Sequence, residues 1–242
     1  MATAAMARLR ADRIFYSGVP MVVAAFVLVG FGPSWFARPI FGQPQGYGPL
    51  SAILVLHGTL MTAWLALAVT QPLLIAAGNR ALHRSLGVAG AVLAVLIVPV
   101  VPLATLHAMR AGGVPAFPTI YVFFAVNIVG LIAFETAIAL AIVKRREPEV
   151  HKRLMTLSLI VLIPPAIGRT PVLDALMPIS GFLLADAIIL AGCFYDRAMR
   201  GRVHRVWKIG GPLMIGSQLV CGPLGFSAPW VAFGQWAMRL PV

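Results

Sequence analysis

The sequence predicts an all-α fold: a polytopic membrane bundle of about seven transmembrane helices, with the N-terminus inside and the C-terminus outside. Three observations predict it. Of the 242 residues, 60% are hydrophobic and only 11% are charged, whereas a soluble domain carries about 25% charged residues; so few charges cannot clothe a water-facing surface. Apolar runs of membrane-spanning length recur along the whole chain. The basic residues between those runs alternate from one side to the other. The length suits one transmembrane domain, residues 1–242, rather than two soluble ones.

A helix that crosses a hydrocarbon core about 30 Å thick, rising about 1.5 Å per residue, needs about 20 mostly apolar residues. Seven segments qualify: residues 14–31, 50–77, 86–109, 119–143, 154–167, 179–195 and 207–233. The first follows Arg8, Arg10 and Arg13 and leads into Gly32, Pro33, Ser34, Trp35 and Phe36. No small-residue cleavage site follows it, so it reads as an uncleaved first helix rather than a signal peptide. The second, third and fourth are long and uninterrupted by charge except at Glu135. The fifth is short and carries Pro164 and Pro165, which predict a kink or an irregular end. The sixth contains Asp186, and the seventh is rich in glycine and proline.

The loops test the count. One side holds Arg8, Arg10, Arg13, Arg80, Arg84, Lys144, Arg145, Arg146, Lys152, Arg153, Arg197, Arg200, Arg202, Arg205 and Lys208; the other holds Arg38, Arg110, Arg169 and Arg239. Fifteen of the 19 basic residues therefore share one side, which is the positive-inside bias and places the N-terminus in the cytoplasm. Trp35, Phe36, Phe41, Tyr47, Phe117, Tyr121 and Trp230 fall near outer ends, and Tyr195 and Trp207 near inner ends. Aromatic rings of this kind prefer the headgroup level.

Several functions are excluded. The net charge of +12 does not indicate nucleic-acid binding, because the charges sit in short clusters without any nucleic-acid-reading motif. Cys193 and Cys221 both lie in apolar segments and form no CxxC, haem-attachment or zinc spacing. A nucleotide-binding glycine loop, a Ser/His/Asp arrangement and paired catalytic carboxylates are absent from the pattern, so no catalytic residues are assigned. If the chain is an enzyme, it is a membrane oxidoreductase.

Polar groups at membrane depth are functional candidates because they are costly there. His57 lies about seven residues into the second helix, roughly 10 Å deep. Met61, Trp64 and Gln71 follow it on the same helical face, which should look into the bundle. That face can serve a ligand or simply helix packing. Glu135 and Asp186 can each carry a proton or be held in a pair, Asp186 for instance with Arg169 or His57.

His83 and His151 open the third and fifth helices on the same side, in the similar strings His83, Arg84, Ser85, Leu86 and His151, Lys152, Arg153, Leu154. Those helices run in the same direction, so the two imidazoles share a depth and can supply both axial ligands of a b-type haem. Arg84, Lys152 and Arg153 can then face the propionates, and Gly87 and Gly90 admit a flat macrocycle. The alternative is that interfacial His and Arg bind lipid phosphates and cap loops.

The order His57, Gln71, Arg80, His83, Arg84, Gly87, His151, Lys152, Arg153, Met155, Arg169 resembles a widespread bacterial membrane family of unknown function. That family carries a histidine, then HR-x-x-G, then H-R-R-x-M, and the likeness covers residues 50–170 or so, about half the chain. More distantly the layout is similar to two-haem transmembrane cytochromes b that pass electrons from ascorbate. Their second helix opens with a histidine followed by Leu-Met, like His57 to Met61, and histidines opening helices 3 and 5 clasp the inner haem. The outer-haem histidine expected at the start of helix 4 is replaced by Thr119, Ile120 and Tyr121; His107 is the nearby substitute, to pair with His57.

The resemblance implies haem b on His83 and His151, in a bacterial inner-membrane protein that passes electrons between a cytoplasmic-side donor and a quinone or other redox partner. Two other readings stay open: a non-redox accessory or assembly subunit of a larger membrane complex, and a small transporter or proton pathway using His57, Glu135 and Asp186.

Overall fold

The chain turns and breaks where local chemistry requires it, and these points set the positions of everything else. The computed structural model describes residues 2–44, 48–112, 117–170 and 179–240; Tyr47 of the expected aromatic belt lies outside them. The helices are α1 (Ala2–Phe31), α2 (Ala52–Ala76), α3 (Arg80–Arg110), α4 (Ile120–Val143), α5 (Pro148–Ile160), α6 (Ile179–Arg200), α7 (Arg205–Phe226) and α8 (Ala228–Ala237). Short turns Gly32–Phe36 and Arg38–Phe41 extend α1, and Ile163–Ile167 continues α5. Seven of these segments are long and apolar enough to cross a membrane, and no strand occurs among the described residues. The protein is an integral membrane protein with an all-α, seven-span bundle, as expected.

Helix starts follow capping chemistry. Gly78, at φ 79°, ends the α2 hairpin turn in the left-handed region, and Asn79 then caps α3 by accepting from Leu82 N at 3.1 Å. Thr119 caps α4 through Val122 N at 3.1 Å. Pro148 sits in the first turn of α5, where a missing N–H leaves no bond unmade.

Two expected spans differ in outline. The fifth begins earlier, at Pro148, and breaks after Ile160 because Pro164 and Pro165 cannot donate to the carbonyls one turn back. The seventh ends at Phe226 rather than running to residue 233: Ser227 is extended, and Pro229 belongs to the first turn of a separate α8.

The span Pro148–Ile167 is the centre of the bundle. Of its most apolar window 67% is buried, against 11–28% for the other spans. Around it, α1 packs on α2, α2 on α3, α3 on α4, α4 on α7 and α7 on α6. Leu157, Ile160 and Ile163 of this centre meet Val23 of α1, Ile188 of α6 and Trp207 and Met214 of α7. Close approach depends on small residues, as in membrane bundles generally: a Cβ on Gly192 would lie 2.5 Å from the Trp207 ring, and one on Gly30 would clash with the Ala166 backbone. Trp207, expected at an inner aromatic belt, is instead 1% exposed and belongs to this core. The outward faces present Val88, Val92 and Val95 of α3, Phe194 of α6 and Leu213 and Leu219 of α7, which lipid must cover.

Candidate functional site: the basic end and the membrane-depth face

At the basic end, His83 and His151 come together. Their ring centres lie 6.4 Å apart with planes at 86°. Each ring is oriented from behind by a neighbouring helix: His83 Nδ1 lies 3.3 Å from the Gln71 carbonyl of α2, and His151 Nδ1 lies 2.8 Å from the Ala141 carbonyl of α4. The second contact has a local cause. Ala141 is in the last turn of α4, where carbonyls lack intrahelical partners, and Arg145 N bonds Ile142 O instead. With Nδ1 donating to a carbonyl, Nε2 is the free lone pair of each neutral ring, and neither Nε2 has a hydrogen-bond partner among the described residues. Metal-ligating histidines are oriented in this way by their other ring nitrogen. Two imidazoles on opposite sides of one metal, with metal–nitrogen distances of about 2 Å, have ring centres about 6 Å apart.

The other predicted residues are distributed differently. Arg84 is exposed beside His83, and a Cβ on Gly87 would meet open space. Arg153 is fully buried, and its guanidinium is bound to both carboxylate oxygens of Asp196, one at 2.9 Å, and to Glu149 at 2.8 Å. That commitment takes Arg153 out of the propionate role expected of it. Lys152 bridges Asp12 at 2.8 Å and Glu149 at 2.6 Å. Arg200 reaches Asp12 at 2.7 Å and Glu149 at 3.2 Å, and Tyr195 donates to Asp12. The network ties α1, α5 and α6 together, and Tyr16 of α1 lies under Lys152, 4.7 Å from ring to Nζ.

The sequence marks Arg200 as a topology signal, and Lys152 and Arg153 both as topology signals and as propionate partners, while Asp12, Glu149 and Asp196 went unnoticed. The available signal was an acid at the inner end of each of α1, α5 and α6, amid the basic residues. His204 closes the network: its backbone N–H donates to Asp196 at 3.1 Å, and its Nδ1 accepts from Val206 N at 3.2 Å as the cap of α7. Burial holds the His204 imidazole below its usual pKa, and Arg153 nearby acts in the same direction.

Deeper in the bundle the predicted face of α2 does turn inward. Trp64 is 4% exposed and meets Phe134 of α4, ring centres 5.1 Å apart. His57 Nδ1, Trp64 Nε1, Gln71 Oε1 and Glu135 Oε1 are buried without a hydrogen-bond partner among the described residues. His57 and His107 make no ring contact with each other among the described residues. Asp186 pairs with Gln218 of α7 at 3.1 Å, in place of the Arg169 or His57 partner expected. Cys193 and Cys221 are free thiols. No group of three or more His, Cys, Asp and Glu that could hold a metal ion occurs among the described residues. In comparisons with family models, curated proteins and solved structures, the chain matches none.

Proposed function

We propose that this integral membrane protein carries electrons on a b-type haem held by His83 and His151 at its cytoplasmic side, in a bacterial inner membrane. The observation that carries the proposal is the histidine pair: two rings 6.4 Å apart, each with Nδ1 against a backbone carbonyl and Nε2 unpartnered among the described residues. A bare metal ion needs three or four protein ligands, and the His83–His151 pair offers two. A metal that brings its equatorial ligands in a macrocycle needs only the two axial ones. The donor set therefore fits haem better than a free ion. The open space over Gly87 and the exposed Arg84 suit a flat group with acidic edges.

Bound there, haem supplies one-electron iron chemistry. The chain's part is to orient the two rings, through carbonyls that fix which nitrogen faces away, and to place them on helices that cross the membrane. The likeness of His57, His83, Arg84, Gly87, His151 and Arg153 to the bacterial family and to the ascorbate-linked cytochromes b belongs to this proposal, as does a quinone or protein redox partner. Its test is the absorption of protein purified from haem-replete cells. A sharp reduced-minus-oxidised haem spectrum is expected, and a colourless, fully folded sample would overturn the proposal.

One observation favours a second reading. His57, Gln71 and Glu135 keep buried polar atoms without a partner among the described residues at membrane depth, and such groups are the usual elements of a proton or solute path. Proton flux into liposomes that is lost in Glu135→Gln, with no haem spectrum, would favour it over electron transfer. Flux unchanged in that variant would remove it.

A further inference from the structure

The basic end carries more than the histidine pair. An open cleft of about 400 Å³ is lined by Arg8, Glu149, Arg200, Arg202 and His204. We infer that it binds a phosphate-bearing anion, either a lipid headgroup or a free phosphate. The inference is independent of the haem reading.

Charge accounting comes first. Asp12, Glu149 and Asp196 are each ion-paired, and Lys152, Arg153 and Arg200 are their partners. Glu149, the carboxylate lining the cleft, is thus already neutralised by Lys152, Arg153 and Arg200. Arg8 and Arg202 line the same cleft with no ion pair among the described residues. The cleft therefore presents two uncompensated guanidinium groups above an internally neutral floor.

Donor geometry comes next. Because His204 Nδ1 accepts from Val206 N, the proton of the neutral ring sits on Nε2, which makes this side chain a donor as well. Arg200 is held by Asp12 and Glu149 and keeps its position without an anion. Gly201, at φ 71°, turns the chain between Arg200 and Arg202 so that both reach the cleft. Guanidinium forks match phosphate oxygens in pairs. The position fits the ligand too. Arg8 lies near the start of α1, and Arg200 ends α6 at the basic boundary of the spans, where lipid phosphates sit.

The experiment uses the full chain in mild detergent, titrated with phosphatidylglycerol and, separately, with inorganic phosphate at constant ionic strength. Wild type, R8Q/R202Q and the outer-end control R38Q/R239Q are compared, after their melting temperatures without ligand show that each is folded. A loss of about tenfold or more in affinity for either ligand is expected in R8Q/R202Q alone. Loss confined to phosphatidylglycerol identifies a lipid headgroup; loss for inorganic phosphate identifies a free phosphate. Equal affinities in wild type and R8Q/R202Q would overturn the inference, and so would an equal loss in R38Q/R239Q. R8K/R202K, which keeps the charge but not the fork, should recover part of the affinity, and full recovery would overturn the role given to the guanidinium forks.

Discussion

Arginines at both ends of the bundle bind backbone carbonyls, and at the inner end carboxylates join them. At the outer end the guanidinium groups pin backbone: Arg110 donates to the Met238 and Leu240 carbonyls at 3.0 and 2.5 Å, Arg38 to Gly48 at 2.6 Å and Arg169 to Pro165 at 2.8 Å. Arg110 thereby satisfies carbonyls at the C-terminal end of α8, where a helix welcomes positive charge. At the inner end Arg153, Arg200 and Lys152 pair with carboxylates drawn from three helices. The difference teaches that the positive-inside count is a count of residues rather than of free charge. Five of the 15 inner cations, Lys144, Lys152, Arg153, Arg200 and Arg205, are ion-paired among the described residues, and the unpaired ones include Arg8 and Arg202 at the cleft and Arg80 and Arg84 beside His83.

The contrast can be broken most sharply at Asp196. Asp196→Ala leaves the buried Arg153 with only the half-exposed Glu149 as its carboxylate partner, and should lower stability by about 3 kcal/mol in detergent unfolding; a loss below about 1 kcal/mol would mean that the pair does not hold α5 to α6. At the outer end, Arg110→Gln removes charge-assisted bonds to carbonyls in an exposed setting, with an expected loss of about 1 kcal/mol by the same measurement. A loss as large as that of Asp196→Ala would erase the distinction between the ends.

His204 sharpens the comparison by pH. Well above 6.5 its ring is neutral in both folded and unfolded chains. As pH falls below that value the unfolded chain takes up the proton first, because burial lowers the folded-state pKa, so stability declines with falling pH. Protonation also removes the Nδ1 acceptor that caps α7. His204→Ala should cost about 1 kcal/mol at neutral pH and flatten this part of the pH–stability curve; an unchanged slope in the variant would assign the titration elsewhere.

The smallest effect is expected at Glu147, on the inner loop. The Lys144 hydrogen bond, at 2.8 Å, and the nearby Arg205 hold its carboxyl below the ordinary 4.5. Its contribution is present above that value and disappears as pH falls through the lowered one. Wild type and Glu147→Gln should therefore differ slightly in melting temperature near neutrality and converge in acid. A difference that persisted in acid would contradict the pairing.

The spans were legible because apolar length and loop charge are local properties of the chain. The two outline differences arose at prolines, Pro164 with Pro165 and Pro229, where the sequence marks a break without saying whether the helix kinks or stops. The proximity of His83 and His151 was legible because two parallel helices open with them on one side. What orients them was not: the Gln71 and Ala141 carbonyls belong to α2 and α4, and backbone groups carry no sequence signature. The Arg153–Asp196 pair joins residues 43 apart in the chain, and only the packing of α6 against the central span reveals it. Trp207 read as an interfacial ring because it stands beside Lys208, yet Gly192 opposite makes a slot that draws it into the core.

On the proposed function, His83 and His151 hold one haem between them and His57 takes no part in holding it. The most direct measurement is the haem-to-protein ratio of His83→Ala, His151→Ala and His57→Ala purified alongside wild type. Each of the first two variants should lose the haem, whereas His57→Ala should retain it. Haem retained in His83→Ala and His151→Ala, or lost only in His57→Ala, would contradict the proposal.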